Sequence, residues 1–364
     1  ALLALLLGFV SAVCASSIEL PELKVGVILP LSAPGVGGTA QSAREGLELA
    51  QEQLLTFDSA VNKAKLKFII EDDAFTPRQS ILAARKLVDA EKVDVLITLW
   101  QPGTEAALPV IKGKGIIHLS PTRWMPAPDY DRDFVLSGSA ESYAAKAVDL
   151  IKTLGFKKIA ILVTKDSANA HMQSFLIPML ETAGVEVVDR YEANLDVRDF
   201  RPWIMRLKEK RPEAILQNAY MPTTELVLKQ MKELDFQPLQ IGIGNFFTEV
   251  PPELVEGACY ILQQPDRADF VEAYTAKYGH APRYPAANYY DAVGVLVEAL
   301  KMAKTTSRED IADALCSIQS YEGAMGKTRF IAPNKLECGL SYFLFQDGKS
   351  RQTTLEELKT FYKR

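Results

Sequence analysis

The stretch 93–124, VDVLITLWQPGTEAALPVIKGKGIIHLSPTRW, leaves few folds open. Residues 94–98 are short, apolar and β-branched, as a buried strand requires, and 115–119 repeat the pattern after an apolar-periodic helix expected over 104–112. Two buried strands joined by a helix form a parallel βαβ unit. In such sheets ligands bind beyond the carboxyl ends of the strands, where helix N-termini and free amides converge. The loops 100–104 and 120–124 then face one crevice. Gln101, Thr104, Ser120, Thr122 and Arg123 can hydrogen-bond or pair with an anion there, and Trp100 and Trp124 offer aromatic faces. The competing reading is of two ordinary connections with a tryptophan at each edge of the core.

The same alternation runs through most of the chain. Strands are expected at 24–29, 66–71 and 133–136, and a second series follows at 157–163, 185–188, 213–217, 239–243 and 258–262, with helices between them. From 266 onward the chain reads as helical, then closes with β segments near 328–331 and 342–346. At 364 residues one hydrophobic core no longer suffices, so two similar α/β lobes are expected, with the late helices crossing back to cover the first.

Composition limits the function classes. A formal net charge of -5 without a Lys/Arg run argues against nucleic acid or an anionic membrane as partner. Residues 1–15 read as part of a cleaved secretory signal peptide, with a lipoprotein lipidated at Cys14 as the alternative. No later stretch reaches the ~20 apolar residues of a membrane span. An oxidising compartment permits a disulfide, for which Cys316 and Cys338 are the preferred pair, leaving Cys259 buried and reduced. His118, His171 and His280 are scattered, so no metal site is expected, and His118 reads as a satisfied core histidine.

The segment Gly35-Val36-Gly37-Gly38-Thr39-Ala40 follows a strand and opens a helix, as a dinucleotide fingerprint does. Its acidic partner comes late, at 71–73, so no cofactor is expected. The loop more simply lets the backbone approach a ligand or the other lobe. A secreted nicotinamide-dependent oxidoreductase is kept as the reading from another class. No nucleophile elbow, S-x-x-K or H-E-x-x-H occurs.

With these elements in place the chain resembles the type I periplasmic solute-binding proteins, in particular the branched-chain amino-acid (Leu/Ile/Val)-binding family of ABC transporters. The resemblance rests on the order and spacing of KVGVILPLSAPGVGGTAQSAREGLELA, EDDAFTPRQSILAARKLV, GIIHLSPTRW, KKIAILVTKDSANA, DFRPWIMRLKEKRPEAIL and NYYDAVGVLVEAL, which span nearly the whole chain after residue 15. It implies two Rossmann-like lobes with parallel-type sheets joined by a three-crossover hinge, 24–140 with 266–338 and 141–265 with 339–364. It also implies a periplasmic protein, not an enzyme, that is monomeric and passes a small solute to the membrane subunits of an ABC permease. A sensor module for a signalling receptor would share the fold.

Carried over by position, the carboxylate-binding loop falls on Trp100, Gln101, Pro102, Gly103 and Thr104, and a second loop on Ser120, Thr122, Arg123 and Trp124. The second lobe contributes Asn169, Ala170, Asn218, Tyr220, Asn245 and Phe246. Amino-acid binders carry an acidic residue where this chain has Asn245, which supplies no charge to a ligand ammonium unless Asp166, Glu225 or Glu249 replaces it. The expectation is therefore a small organic, even aromatic, acid held by Arg123 and Gln101. Some relatives join the positions of Phe75 and Trp100 by a disulfide, and here an aromatic pair is expected to pack instead.

Overall fold

The computed structural model describes residues 21–55, 64–124, 129–244, 247, 250–263 and 267–363. Its first half is a run of strand-helix units: β1 (Glu22–Leu29), α1 (Gly37–Leu54), β2 (Lys65–Asp72), α2 (Pro77–Arg85), β3 (Val95–Thr98), α3 (Gln101–Lys112), β4 (Ile117–Ser120) and β5 (Asp133–Leu136). The second run is α4 (Ala140–Leu154), β6 (Lys158–Thr164), α5 (Ser167–Thr182), β7 (Glu186–Ala193), α6 (Arg201–Lys210), β8 (Ala214–Asn218), α7 (Thr223–Glu233), β9 (Leu239–Ile243), α8 (Pro252–Val255) and β10 (Cys259–Leu262). Three further helices follow, α9 (Ala268–Tyr278), α10 (Ala286–Met302) and α11 (Arg308–Ser317). The chain closes with β11 (Ser320–Gly323), β12 (Gly326–Ala332), β13 (Lys335–Glu337), β14 (Ser341–Gln346), β15 (Lys349–Thr353) and α12 (Leu355–Tyr362).

Among the described residues these strands form two sheets. One has eight strands in the order β11-β12-β13-β5-β4-β3-β1-β2, the other seven in the order β15-β14-β10-β9-β8-β6-β7. Pairing among β1–β5 and among β6–β10 is parallel throughout. The chain passes between the sheets after β5, after β10 and after β13, which makes the three-crossover, two-lobed fold expected.

Each sheet is covered on both faces, which explains the near-continuous apolar strands. Val25, Val27, Val95 and Ile97 pack toward α1 and α10, while Ile28 and Leu96 point the other way to Leu87 and Ile111. In the second lobe Ile159, Ile161 and Val163 meet the residues of α4 and α5, and Ala160 and Leu162 meet Trp203, Ile204 and Val227. The late helices do return to the first lobe: Tyr289, Val293 and Leu296 of α10 belong to its core with Ala43 and Leu47 of α1.

Two expectations are corrected here. The segment 101–104 is not loop but the first turn of α3, with Pro102 in the position where a missing amide proton costs nothing. Cys316 and Cys338 are not bonded: both are free, Cys316 on the solvent face of α11 and Cys338 packed into the first-lobe core. Their side chains face solvent and core respectively, so the two thiols do not meet. Cys259 is buried and free, as expected.

The β11–β12 hairpin is pinned to α10 by Asp291, whose carboxylate accepts the amides of Ala324 at 2.6 Å and Met325 at 2.9 Å. Burial pushes this carboxyl up from 3.8 to about 7. The folded protein then holds the proton more tightly than the unfolded chain between about pH 4 and about pH 7, so stability falls as pH rises through that window. Calorimetry at matched ionic strength should show a lower melting temperature at pH 8 than at pH 6, and Asp291→Asn should flatten the difference. A thiol reagent should titrate Cys316 in the native protein, and Cys259 and Cys338 only after unfolding.

Candidate functional site

Strand order reverses beside β1 in one sheet and beside β6 in the other, so neighbouring loops leave in opposite directions and open a crevice at each switch point. The two crevices face one another across a cavity of about 120 Å³. Its walls are almost all residues just past strand carboxyl ends: Val36 and Thr39 after β1, Phe75 after β2, Leu99, Trp100 and Gln101 after β3, and Thr122 and Trp124 after β4. Ala168 after β6, Asn218 and Tyr220 at and after β8, and Gly244 after β9 form the second-lobe wall, with Tyr143 of α4 and Tyr284 before α10 at the side.

The aromatic wall is held from behind. Trp100 Nε1 donates to Asp73 Oδ2 at 2.7 Å, and the same carboxylate accepts Ser80 Oγ at 2.6 Å and the Phe75 amide at 3.1 Å. Ala74 and Phe75 both have positive φ, +48° and +59°, a left-handed turn that non-glycine residues adopt only under constraint. Asp72 and Asp73 supply that constraint by accepting the amides of Ala74 and Phe75. Phe75 is thereby stacked on Trp100, with ring centroids 4.1 Å apart, and it meets Tyr220 of the other lobe edge-on at 5.8 Å. The expected aromatic pair is present. Burial raises the Asp73 carboxyl above the usual range despite these donors.

The polar groups at the cavity are neutral. α3 has no side-chain cap, so the amides of Gln101 and Gly103 stay without a partner in the helix at the positive end of its dipole, while Pro102 has no amide proton and the Thr104 amide bonds the Trp100 carbonyl at 3.0 Å; Gln101 Oε1 is buried without a partner. Among the described residues no carboxylate and no cation lines the cavity. Asp166 lies behind the second-lobe wall as the N-cap of α5, accepting the Asn169 amide at 2.7 Å. Burial raises its carboxyl, opposed by the Asn169 amide and the Tyr220 hydroxyl. Glu225 is taken by Lys229, and Glu249 is outside the described residues.

The lobes touch over this cavity. Ser167 Oγ donates to both oxygens of Glu105 at 2.7 Å, and Glu105 also accepts Gln101 Nε2 at 2.6 Å. Ala33 and Val36 pack with Met221 and Phe247. Gly35, at φ +79°, brings the backbone so close that a Cβ there would sit 3.1 Å from Met221 Cβ. The glycine-rich loop is thus a contact with the other lobe.

Of the residues proposed from sequence, Trp100, Gln101, Thr122, Trp124, Asn218 and Tyr220 line the cavity. Pro102, Gly103, Thr104, Ser120, Asn169 and Ala170 stand beside it and do not line it. Asn245 and Phe246 are outside the described residues. Arg123 is a correction: it is 2% exposed and its Nη1 donates to Asp133 at 2.8 and 3.1 Å, so the guanidinium is buried inside the lobe and turned away from a solute. Val36, Thr39, Leu99, Tyr143, Ala168, Gly244 and Tyr284 were missed, Tyr143 and Tyr284 because nothing local marks residues that lie 19 and 40 positions from the nearest other residue of the cavity.

Residues 22–339 match the family model described as periplasmic binding protein. The chain belongs to the periplasmic binding protein family. It is 24% identical over 327 residues to the leucine-, isoleucine-, valine-, threonine- and alanine-binding protein of Pseudomonas aeruginosa, covering 86% of this chain and 87% of that one. Its fold resembles that of a leucine binding protein from Thermotoga maritima at a TM-score of 0.82, with 22% identity and 91% and 98% of the two chains covered. A solute-binding protein of an ABC transporter from R. palustris, in complex with benzoate, superposes at 0.79 with 20% identity and 91% and 95% covered. The chain thus has the type I fold of these periplasmic binding proteins. No helix among its described residues is long and apolar enough to cross a membrane.

A Cβ on Gly103 would lie 2.5 Å from Trp100 Nε1 and 2.6 Å from Ser80 Oγ. Gly103→Ala should therefore push Trp100 off Asp73, costing about 1–3 kcal/mol of stability, read as a shift in intrinsic fluorescence together with a lower denaturation midpoint.

Proposed function

We propose that this protein is the extracytoplasmic solute-binding component of an ABC importer, and that its solute is a small carboxylate with an aromatic body. The two lobes, 24–140 with 266–338 and 141–265 with 339–364, close over the solute, and the closed form engages the membrane subunits of a permease as a monomer. Residues 1–15 act as the export signal.

One observation carries the ligand class: the cavity between the lobes is walled by aromatic rings and neutral polar groups, with an open helix N-terminus and no charged side chain among the described residues. A carboxylate fits the free amides of α3 and the dipole behind them. A ring fits against the Trp100, Trp124 and Tyr143 faces that line the cavity, in a space close to the ~150 Å³ that admits benzene in an apolar cavity. A buried ammonium without a counter-charge would cost several kcal/mol, which weighs against an amino-acid zwitterion. The benzoate complex of a similar fold supports the same reading.

A thermal-shift and calorimetric screen of benzoate, hydroxylated benzoates, aliphatic acids and leucine tests it, since binding to the folded state alone raises the melting temperature. Benzoate-type acids should stabilise the protein, with Asn218→Ala and Gln101→Ala weakening them about tenfold, the loss of one hydrogen bond to a charged group. Tight leucine binding with no response to aromatic acids would refute the ligand class.

A further inference from the structure

Beneath the cavity, beyond reach of a solute, lies a line of polar side chains that the binding reading does not use. His118 and Asp133 are 0% exposed and Arg123 2%. Asp133 accepts Arg123 Nη1 and is 2.6 Å from His118 Nδ1. The other ring nitrogen of His118 is 2.9 Å from Thr98 Oγ1, which is 2.5 Å from Thr104 Oγ1, and Thr104 bonds the Trp100 carbonyl at 2.9 Å.

Both ends of this line sit on cavity loops. Arg123 stands between Thr122 and Trp124, and the Trp100 carbonyl precedes Gln101. A second tie runs above it, where Thr122 Oγ1 donates to the Leu99 carbonyl. The same loop is fastened to the hinge: Ser137 Oγ donates to the Arg123 carbonyl, and Asn288 Nδ2 bonds the Pro121 carbonyl at 3.0 Å and Gln263 Oε1 at 2.6 Å. Ser137 and Gln263 begin two of the three crossovers. Buried ion pairs are seldom better than apolar packing for stability, because desolvation offsets their attraction. The hydrogen bonds that join these groups are directional and shielded from water, so they favour a single geometry for the residues they connect, although Arg123 Nε has no partner among the described residues.

We infer that Thr98, His118, Asp133 and Arg123 are positioning residues that join the first turn of α3 and the 121–124 loop into one rigid wall, which moves with the hinge as a unit. The inference rests on the reading of the cavity as the solute site, but its test needs no solute. Amide hydrogen exchange of the full ligand-free chain is compared with that of Arg123→Met and Thr98→Val. Arg123→Met should raise exchange over 99–104, and Thr98→Val over 121–124, each by about fivefold, the scale set by one hydrogen bond, while β6–β9 keep their protection. Thr98→Ser, which retains the hydroxyl, should restore the wild-type pattern. A rise confined to the segment carrying the substitution, or one spread equally over β6–β9, overturns the inference. If either variant does not fold, His118→Gln takes its place, and unchanged exchange in both loops then overturns it. Failure of benzoate to bind the wild-type protein would count against the solute class alone and leave the exchange result standing.

Discussion

Parallel strands can end only at a common edge, and there the sheet's last amides and the following helices' N-termini have no partners within the sheet. Everything in this protein follows from having two such edges and setting them face to face. The order 2-1-3 beside β1, and 7-6-8 beside β6, splits the loops at each edge, and three passages of chain between the sheets hold the two openings opposite one another. A lobe by itself would present a shallow groove. Two of them enclose a cavity whose wall is made of loop residues on a rigid frame.

The distribution of charge follows from the same geometry. Ionic groups close to the cavity are used inside the scaffold: Asp73 to anchor Trp100, Arg123 to hold Asp133, Asp166 to cap α5, and Glu105 to bond Ser167 across the mouth. Among the described residues, what remains at the surface of the cavity is neutral. On the proposed reading recognition depends on shape, on aromatic contact and on oriented dipoles, and the strained 74–75 turn is held by the exposed Asp72 and the buried Asp73, which accept its amides.

Much of the architecture was legible from periodicity. Strands such as 95–98 and 241–243 are apolar on both faces, and only a sheet covered by helices on both sides accommodates that pattern. Short polar edge elements were not legible that way. β15, KSRQT, carries no apolar alternation, although Asp347 and Gly348 before it, both at positive φ, are a two-residue hairpin signal that marks its start. The cavity residues on strand-end loops could be named because their position in a βαβ unit is a local property. Arg123 shows the limit: its place on the loop was read correctly, but the direction of its side chain depends on Asp133, ten positions on and one strand over.

The sequence by itself determined the class of fold, the two lobes and the loops that meet between them, because hydrophobic period and strand-end position are set by near neighbours in the chain. Which of those loop residues touch the cavity, that Cys316 and Cys338 stay apart, and that the one arginine on the loop faces inward were decided only by tertiary structure. Those outcomes depend on side-chain partners and burial that arise when distant segments pack, and no local pattern encodes them.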